Sequence, residues 1–244
     1  MSHIRANVLV CSGTGCASSD SPKVLAAFER EIKRNKLQDE VRVVKTGCIG
    51  LCEKGPNVLV FPEGACYCHV TEGDVAEIVT EHLVKGRIVT RLLQKDGEDN
   101  RAATSLSETR FYKHQFRIAL RNCGVINPES IDEYLGADGY TALERILTEQ
   151  TPPQEIIDCV KKSGLRGRGG AGFSTGLKWQ FTHDAVSEDG VKYVCCNADE
   201  GDPGAFMDRS VLEGDPFSVI EAMTIAGYAI GSSQGYIYVR AEYP

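Results

Sequence analysis

The stretch Ser163-Gly-Leu-Arg-Gly-Arg-Gly-Gly-Ala-Gly-Phe-Ser-Thr-Gly-Leu-Lys-Trp179, read with Cys195-Cys-Asn-Ala-Asp-Glu-Gly-Asp-Pro-Gly204, decides how the second half of the chain folds. Six glycines run from Gly164 to Gly176, with Arg166, Arg168 and Lys178 close by. Backbone amides without side chains in the way can close on a phosphate or an aromatic ring while the cations neutralise charge. The spacing Gly167-x-Gly169-x-x-Gly172 also satisfies the dinucleotide fingerprint, but that fingerprint needs a strand before it. The residues ahead, Pro153 to Ser163, instead place Ile156, Ile157 and Val160 at helical spacing. A nucleotide cradle is therefore expected in a setting that is not the ordinary Rossmann one. A ligand-free surface loop is the bland alternative, and it is disfavoured because such loops are padded with Ser and Asn rather than Arg and Lys.

Working outward, Val191 to Cys196 reads as a strand that feeds the polar loop Asn197 to Gly204, which puts Asn and acidic side chains at the carboxyl edge of a sheet. A helix over Pro216 to Gly231 and a strand over Gly235 to Arg240 follow. Upstream, helices are expected over Pro128 to Leu135, Tyr140 to Gln150 and Pro153 to Ser163. Beside the glycine loop, Asp199, Glu200 and Asp202 read as site residues rather than as a solvated acidic turn. His183 reads as a helix-surface residue.

The first part of the chain has a different character. A short strand, Asn7 to Val10, runs into Cys11-x4-Cys16. Ser21-Pro22 reads as an N-cap with a first-turn proline, and Val24, Phe28 and Ile32 mark one helical face. A second strand, Val41 to Val44, runs into Cys48-x3-Cys52. A strand, helix, strand crossover of this kind is parallel and right-handed, so both strands end at one sheet edge and both cysteine pairs meet there. Strands over Asn57 to Phe61 and Tyr67 to Val70, and a helix over Asp74 to Val84 opened by a Thr71/Asp74 capping box, complete a βαβ then ββα order. Zinc prefers C-x2-C pairs and thioredoxin chemistry needs C-x-x-C, so neither suits these spacings. Gly13, Gly15, Gly47 and Gly50 let amides approach the sulfurs. Cys66 and Cys68 read as packing residues, His69 as a bystander on the opposite strand face, and Cys123 and Cys159 as structural.

The chain has 244 residues, 42% of them hydrophobic, with ten cysteines and a formal net charge of -7. That composition supports one or two packed domains and argues against a nucleic-acid partner, which asks for a basic face. No run has the length of a membrane span and no export signal precedes the cysteines, so metal binding in the cytoplasm is expected rather than a disulfide scaffold. Residues 1–88 carry 11 basic and 11 acidic residues, whereas the remainder carries 16 against 23. With the polar run from Gln94 to Arg101, this step suggests a first domain over 1–88, a linker over 89–113 and a second domain over 114–244.

The glycine stretch and the Asn197 to Gly204 loop closely resemble the flavin-binding region of the NADH-oxidising, 51 kDa-like flavoprotein subunit of complex I, NAD(P)-linked hydrogenases and formate dehydrogenases. The first domain resembles the thioredoxin-like [2Fe-2S] ferredoxins, and Arg117-Ile-Ala-Leu-Arg-Asn-Cys-Gly124 is typical of hydrogenase-type members, so the whole resembles the N-terminal part of a hydrogenase β-subunit-like chain. The resemblance implies an α/β fold class: a thioredoxin-like ferredoxin domain, a helical lead-in and an incomplete Rossmann-like FMN-binding domain. It implies Cys11, Cys16, Cys48 and Cys52 as thiolate ligands of a [2Fe-2S] cluster. Gly167, Arg168, Gly169, Gly170 and Lys178, with Asn197, Asp199 and Glu200, would hold FMN. Phe173 and Phe181 would meet NAD(H) or NADP(H). Ser174 replaces the usual proline and Asp202 a glutamate associated with NADH. A [4Fe-4S] cluster is expected only beyond Pro244, and the chain is expected to be a fragment of a longer flavoprotein or one piece of a split one. The implied function is electron input from NAD(P)H to FMN and iron-sulfur centres, in a soluble, cytoplasmic hydrogenase or formate dehydrogenase assembly with ferredoxin as a further partner. The electron-bifurcating kind is included. The alternatives are a complex I subunit and a [2Fe-2S] carrier or sensor without flavin chemistry.

Overall fold

The computed structural model describes residues 4–96, 101–103 and 105–241. Packing divides the chain into two compact units, Met1–Tyr134 with Ser210–Asp215, and Leu135–Arg209 with Pro216–Pro244. The expected polar run reaches residues 97–100, which lie outside the described residues.

In the first unit, β1 (Ala6–Cys11), α1 (Thr14–Ser18), α2 (Ser21–Arg34), β2 (Val41–Thr46), β3 (Val58–Phe61) and β4 (Ala65–Tyr67) form a four-stranded sheet and its flanking helices, in strand order β2-β1-β3-β4. β1 and β2 run parallel, Ala6 opposite Val41 through Cys11 opposite Thr46. β3 returns antiparallel to β1, and β4 antiparallel to β3. Helix α3 (Val75–Glu77) is entered through a 3-10 turn at Glu72–Asp74 and continued by a π-type run over Ile78–Val84. The capping box is formed, with the Asp74 carboxylate accepting from the Thr71 amide at 2.8 Å.

Val24, Phe28 and Ile32 of α2 are buried against Val8, Val10, Val58, Val60 and Tyr67 of the sheet, as their spacing requires. Two local expectations are corrected. Asp20, at φ 69°, occupies the N-cap of α2 because its carbonyl takes the Lys23 amide, and Ser21 is instead the first, buried helical residue. β4 stops at Tyr67 because the Cys68 amide turns to the Leu92 carbonyl at 2.8 Å, and His69 leaves the ladder at φ 52°. The start of the segment read as linker is core: Val89, Leu92 and Leu93 fold in through a 3-10 turn at Thr90–Leu92. β5 (Lys95–Asp96) and β6 (Arg101–Ala102) then pair antiparallel, and α4 (Arg110–Lys113) is capped by Thr109. The Thr46 hydroxyl ties the following loop to β2, accepting from the Gly124 amide and donating to the Ile126 carbonyl, both at 2.9 Å.

The second unit contains α6 (Thr141–Thr148), α7 (Pro153–Ser163), α8 (Thr175–Asp184), β7 (Tyr193–Ala198), α10 (Pro216–Ile230) and β8 (Gln234–Val239). Between the strands, α9 (Met207–Gly214) begins in this unit, and α5 (Ile131–Gly136) precedes it. β7 and β8 are parallel, Tyr193 opposite Gln234 through Ala198 opposite Val239, so both finish at one edge. α7 matches its expected bounds, whereas the helix expected from Pro128 starts at Ile131 because the Asn127 amide turns to the Glu133 carboxylate at 2.8 Å. Ile146, Ile156, Ile157 and Ala229 form the core, with Trp179, Ile225 and Tyr228 packed against it. The fold class is α/β, as expected.

α7 and α8 touch so closely that a Cβ added at Gly176 would lie 2.5 Å from the Lys161 amide nitrogen. Backbone cannot yield as a side-chain tip does, and overpacking of this kind outweighs the roughly 1 kcal/mol of helix propensity that alanine returns. Gly176→Ala is expected to lower the unfolding free energy of this unit by about 1–3 kcal/mol in chemical denaturation. A more stable variant would refute the contact.

In the first unit, His82 is buried, and its Nδ1 lies 2.7 Å from the Tyr67 hydroxyl, which also accepts from the Val89 amide. Burial holds His82 below its ordinary 6.5, partly offset by Glu63. The unfolded chain thus takes up a proton that the folded one resists, and stability falls as pH drops from 6.5 through the lowered folded value. Urea midpoints between pH 8 and pH 5.5 are expected to fall more for the natural chain than for His82→Gln. Equal slopes would remove His82 as the cause.

Candidate functional sites

β1 ends at Cys11 and β2 at Thr46, so the loops that carry the two cysteine pairs leave the same sheet edge. Cys11 and Cys16 are buried, Cys48 is half-buried and Cys52 exposed. Cys48 Sγ is 3.5 Å from Cys52 Sγ. The Gly50 amide donates to Cys48 Sγ at 3.4 Å, and Asn57 Nδ2 to Cys16 Sγ at 3.5 Å. These contacts split the thiols. Cys16 is lowered to about 7, by Cys11 and then by Asn57, and Cys48 to about 6, by Cys11, the Gly50 amide, Cys52 and Arg117. Cys11 is pushed far up by its contacts with Cys16 and Cys48, and burial raises Cys52 to about 11.

The donor set suits a two-iron cluster. All four donors are sulfur, carried on two loops that leave one sheet edge, and two of them already accept from an amide group. Among the described residues no group of three or more His, Cys, Asp or Glu forms a site for a single metal ion. The backbone around them leaves no space to spare. An added Cβ at Gly13 would lie 2.6 Å from Cys48 Cβ, at Gly15 2.9 Å from Cys52 Cβ, and at Gly55 2.9 Å from Cys16 Sγ. Gly55 and Asn57 escaped the sequence reading; they stand after the last cysteine and carry no spacing signal. Cys66 and Cys68 are buried and packed, with Cys68 Sγ 3.0 Å from Gln94 Oε1, while His69 is exposed. Cys123 is buried but Cys159 is exposed, so the structural reading suits only the former.

In the second unit the glycine loop is closed on itself. The Gly167 amide donates to the Phe173 carbonyl at 2.8 Å, the Thr175 amide to the Leu165 carbonyl at 3.0 Å, and Arg166 to the Gly172 carbonyl at 3.0 Å. Gly170 at φ 102° and Gly172 at φ 60° hold conformations that glycine alone adopts without strain. Gly169 has no such need, and an added Cβ there meets nothing within 4 Å, so protein packing does not require glycine at that point. Ser174, in place of a proline, caps α8 by accepting from the Leu177 amide.

A cavity of about 320 Å³ opens beside this loop, lined by Gly167, Phe173 and Lys178 together with Trp179, Tyr193 and Cys195. The last three were not singled out from sequence as site residues, because it takes α10, packed against both α8 and β7, to bring them round one cavity. Phe173 and Phe181 are exposed, ring centroids 6.3 Å apart. Arg168, Gly169 and Gly170 lie exposed on the loop outside the cavity lining, and Asn197, Asp199 and Asp202 are exposed at or beyond the end of β7. A larger cavity of about 530 Å³ between α10 and the sheet is lined by no charged residue, so it suits a phosphate-bearing ligand less well.

Glu200 has a definite task in the fold. Its Oε1 accepts from the amides of Met207 at 2.8 Å and Asp208 at 3.1 Å, and its Oε2 from that of Arg209 at 3.2 Å. It thus caps α9, where an anion also meets the positive end of the helix dipole. Its carbonyl accepts from Arg240 at 2.7 Å.

A cysteine-bearing α/β domain is followed in the chain by a glycine-looped α/β segment, each with its own candidate site. Residues 3–83 match the thioredoxin-like [2Fe-2S] ferredoxin model, and residues 160–244 the Nuo51 FMN-binding domain. The chain thus carries a thioredoxin-like [2Fe-2S] ferredoxin domain followed by the Nuo51 FMN-binding domain. It is 58% identical over 139 residues to the NADP-reducing hydrogenase subunit HndC of Solidesulfovibrio fructosivorans, covering 57% of this chain and 27% of that one. It is 36% identical over 200 residues to the NAD-reducing hydrogenase HoxS subunit alpha of Cupriavidus necator, covering 81% of this chain and 30% of that one. Among solved structures, the thioredoxin-like [2Fe-2S] ferredoxin of Aquifex aeolicus is 34% identical, covering 37% of this chain and 89% of that one, with a TM-score of 0.34. The chain thus spans less than a third of the length of these two curated relatives.

Glu200→Ala is expected to lower stability by about 1–2 kcal/mol in the absence of any flavin, through loss of the α9 cap. Thermal unfolding of the flavin-free protein measures this. An unchanged midpoint would assign the carboxylate to ligand binding alone.

Proposed function

We propose that this chain is the electron-input module of an NAD(P)-linked hydrogenase or formate dehydrogenase assembly. The observation that carries the reading is the presence on one chain of a glycine-locked quartet of thiols and a glycine loop with Lys178 at a cavity beside a parallel sheet edge. Similarity to the HoxS subunit alpha runs through 81% of the chain, whereas similarity to a NADH-quinone oxidoreductase chain of Rhizobium meliloti runs through 52%, which favours the hydrogenase type.

When bound, FMN supplies hydride acceptance and single-electron release, and the two-iron cluster supplies one-electron transfer. Cys11, Cys16, Cys48 and Cys52 bind the irons, and the amide of Gly50 and the amide nitrogen of Asn57 stabilise thiolate charge at Cys48 and Cys16. Gly167, Arg168, Gly169, Gly170 and Lys178 hold the phosphate and ring of FMN, with Asn197 and Asp199 at the carboxyl edge of β7. Phe173 and Phe181 offer aromatic faces to the nicotinamide nucleotide of NAD(H) or NADP(H), beside Asp202. Glu200 serves by pinning the loop that carries Asp199 and Asp202 to α9. Other subunits of the assembly, and a ferredoxin, are the partners. No described helix is long and apolar enough to cross a membrane, and a cytoplasmic location suits the reduced thiols.

The test is the chain purified anaerobically within its natural assembly. Cys48→Ser is expected to abolish the visible bands and electron paramagnetic resonance signal of the two-iron cluster while leaving flavin content intact. Lys178→Ala is expected to weaken FMN retention about tenfold, the effect of roughly 1.4 kcal/mol. Zinc in place of iron would overturn the cluster assignment. An intact cluster with no flavin in the natural protein would leave a simple electron carrier.

A further inference from the structure

The segment that follows the matched ferredoxin residues 3–83 packs in the same unit, over the loop that carries Cys48. Leu106 and Tyr112 lie against the core that holds Cys11 and Cys16. The Tyr112 hydroxyl is 3.6 Å, and the Phe111 ring 3.7 Å, from the point a Cβ on Gly50 would occupy. On the other side, Cys123 Sγ is 3.1 Å from the same point on Gly47. Cys48 is therefore flanked by two contacts from this segment, one on the residue before it and one two residues after it.

Arg117 is held between those contacts. It is half-buried, its Nη1 donates to the Cys123 carbonyl at 3.2 Å, and its guanidinium carbon stands 5.5 Å from the centre of the Tyr112 ring. Among the described residues no carboxylate pairs with it.

We infer that Arg117 sets the reduction potential of the cluster, as a cation that the Tyr112 ring and the Cys123 carbonyl hold beside the Cys48 loop. This rests on the reading that the four thiols hold a [2Fe-2S] cluster. One-electron reduction adds one negative charge to the centre and makes no bond, so a fixed, unpaired cation nearby favours the reduced form. Exposed charges are screened by solvent and salt, but a half-buried one keeps more of its effect.

The experiment is a dithionite redox titration of the full chain, followed by electron paramagnetic resonance, with iron content measured in parallel. Arg117→Gln is expected to shift the ratio of reduced to oxidised cluster about tenfold toward oxidised at a given potential, a fall in midpoint of about 59 mV for one electron. Arg117→Lys, which keeps the charge, is expected to retain most of the natural midpoint. Tyr112→Leu, which releases the guanidinium, is expected to shift the midpoint the same way by a smaller factor. An unchanged midpoint in an iron-loaded Arg117→Gln overturns the inference, or in Tyr112→Leu if Arg117→Gln fails to hold iron. Loss of iron from both variants shows a structural role and overturns it equally. Absence of iron from the natural chain would instead refute the cluster assignment itself.

Discussion

The parallel pairing of β1 with β2 is the constraint on which the first unit depends. Two parallel strands joined by a crossover helix finish at the same edge, and here each runs into a cysteine loop at that edge. Had the strands run antiparallel, Cys11 and Cys48 would stand at opposite ends of the sheet. The crossover also forces α2 across one face, where Val24, Phe28 and Ile32 meet Val8 and Val60. Apolar burial on that face holds the register, and the register holds the thiols.

The thiol site shows what glycine does when backbone must meet sulfur. At Gly13, Gly15 and Gly55 the conflict is with cysteine side chains, whereas at Gly50 the conformation itself, φ 86°, demands glycine. Both uses lead to the same end: amides and carbonyls sit where side chains would otherwise shield the sulfurs. The loops after Thr46 gain a second layer from the segment around Tyr112 and Cys123, anchored by the Thr46 hydroxyl. A ferredoxin-type domain is thus extended by residues outside its own family boundary.

The second unit repeats the edge principle with a different filling. β7 and β8 are parallel and finish together, and the loop after β7 turns on Glu200, whose carboxylate collects three amides of α9. The glycine loop between α7 and α8 is closed by its own backbone bonds, which presets its shape before any ligand arrives. Preset loops lose less conformational entropy on binding than loops that must order themselves.

Sequence alone marked the elements that carry the candidate sites. Cysteine spacing, the glycine loop, the Thr71/Asp74 capping box, the stripe on α2 and the bounds of α7 were all legible, because each depends on residues near one another in the chain. Only the tertiary structure decided what depends on distant neighbours. Asp20 rather than Ser21 ends up at the head of α2, and Val89 to Leu93 belong to the core because a 3-10 turn folds them back on the sheet. Glu200 reads in the sequence as one of several acidic site residues, but the amides of α9 give its carboxylate a partner within the fold. In the sequence Arg117 stands out only as the start of the run to Gly124, and Gly55 not at all. Their places, Arg117 at the Cys123 carbonyl and Gly55 against Cys16, follow from chain segments that come together only when apolar surface is buried, and no local pattern records such a meeting.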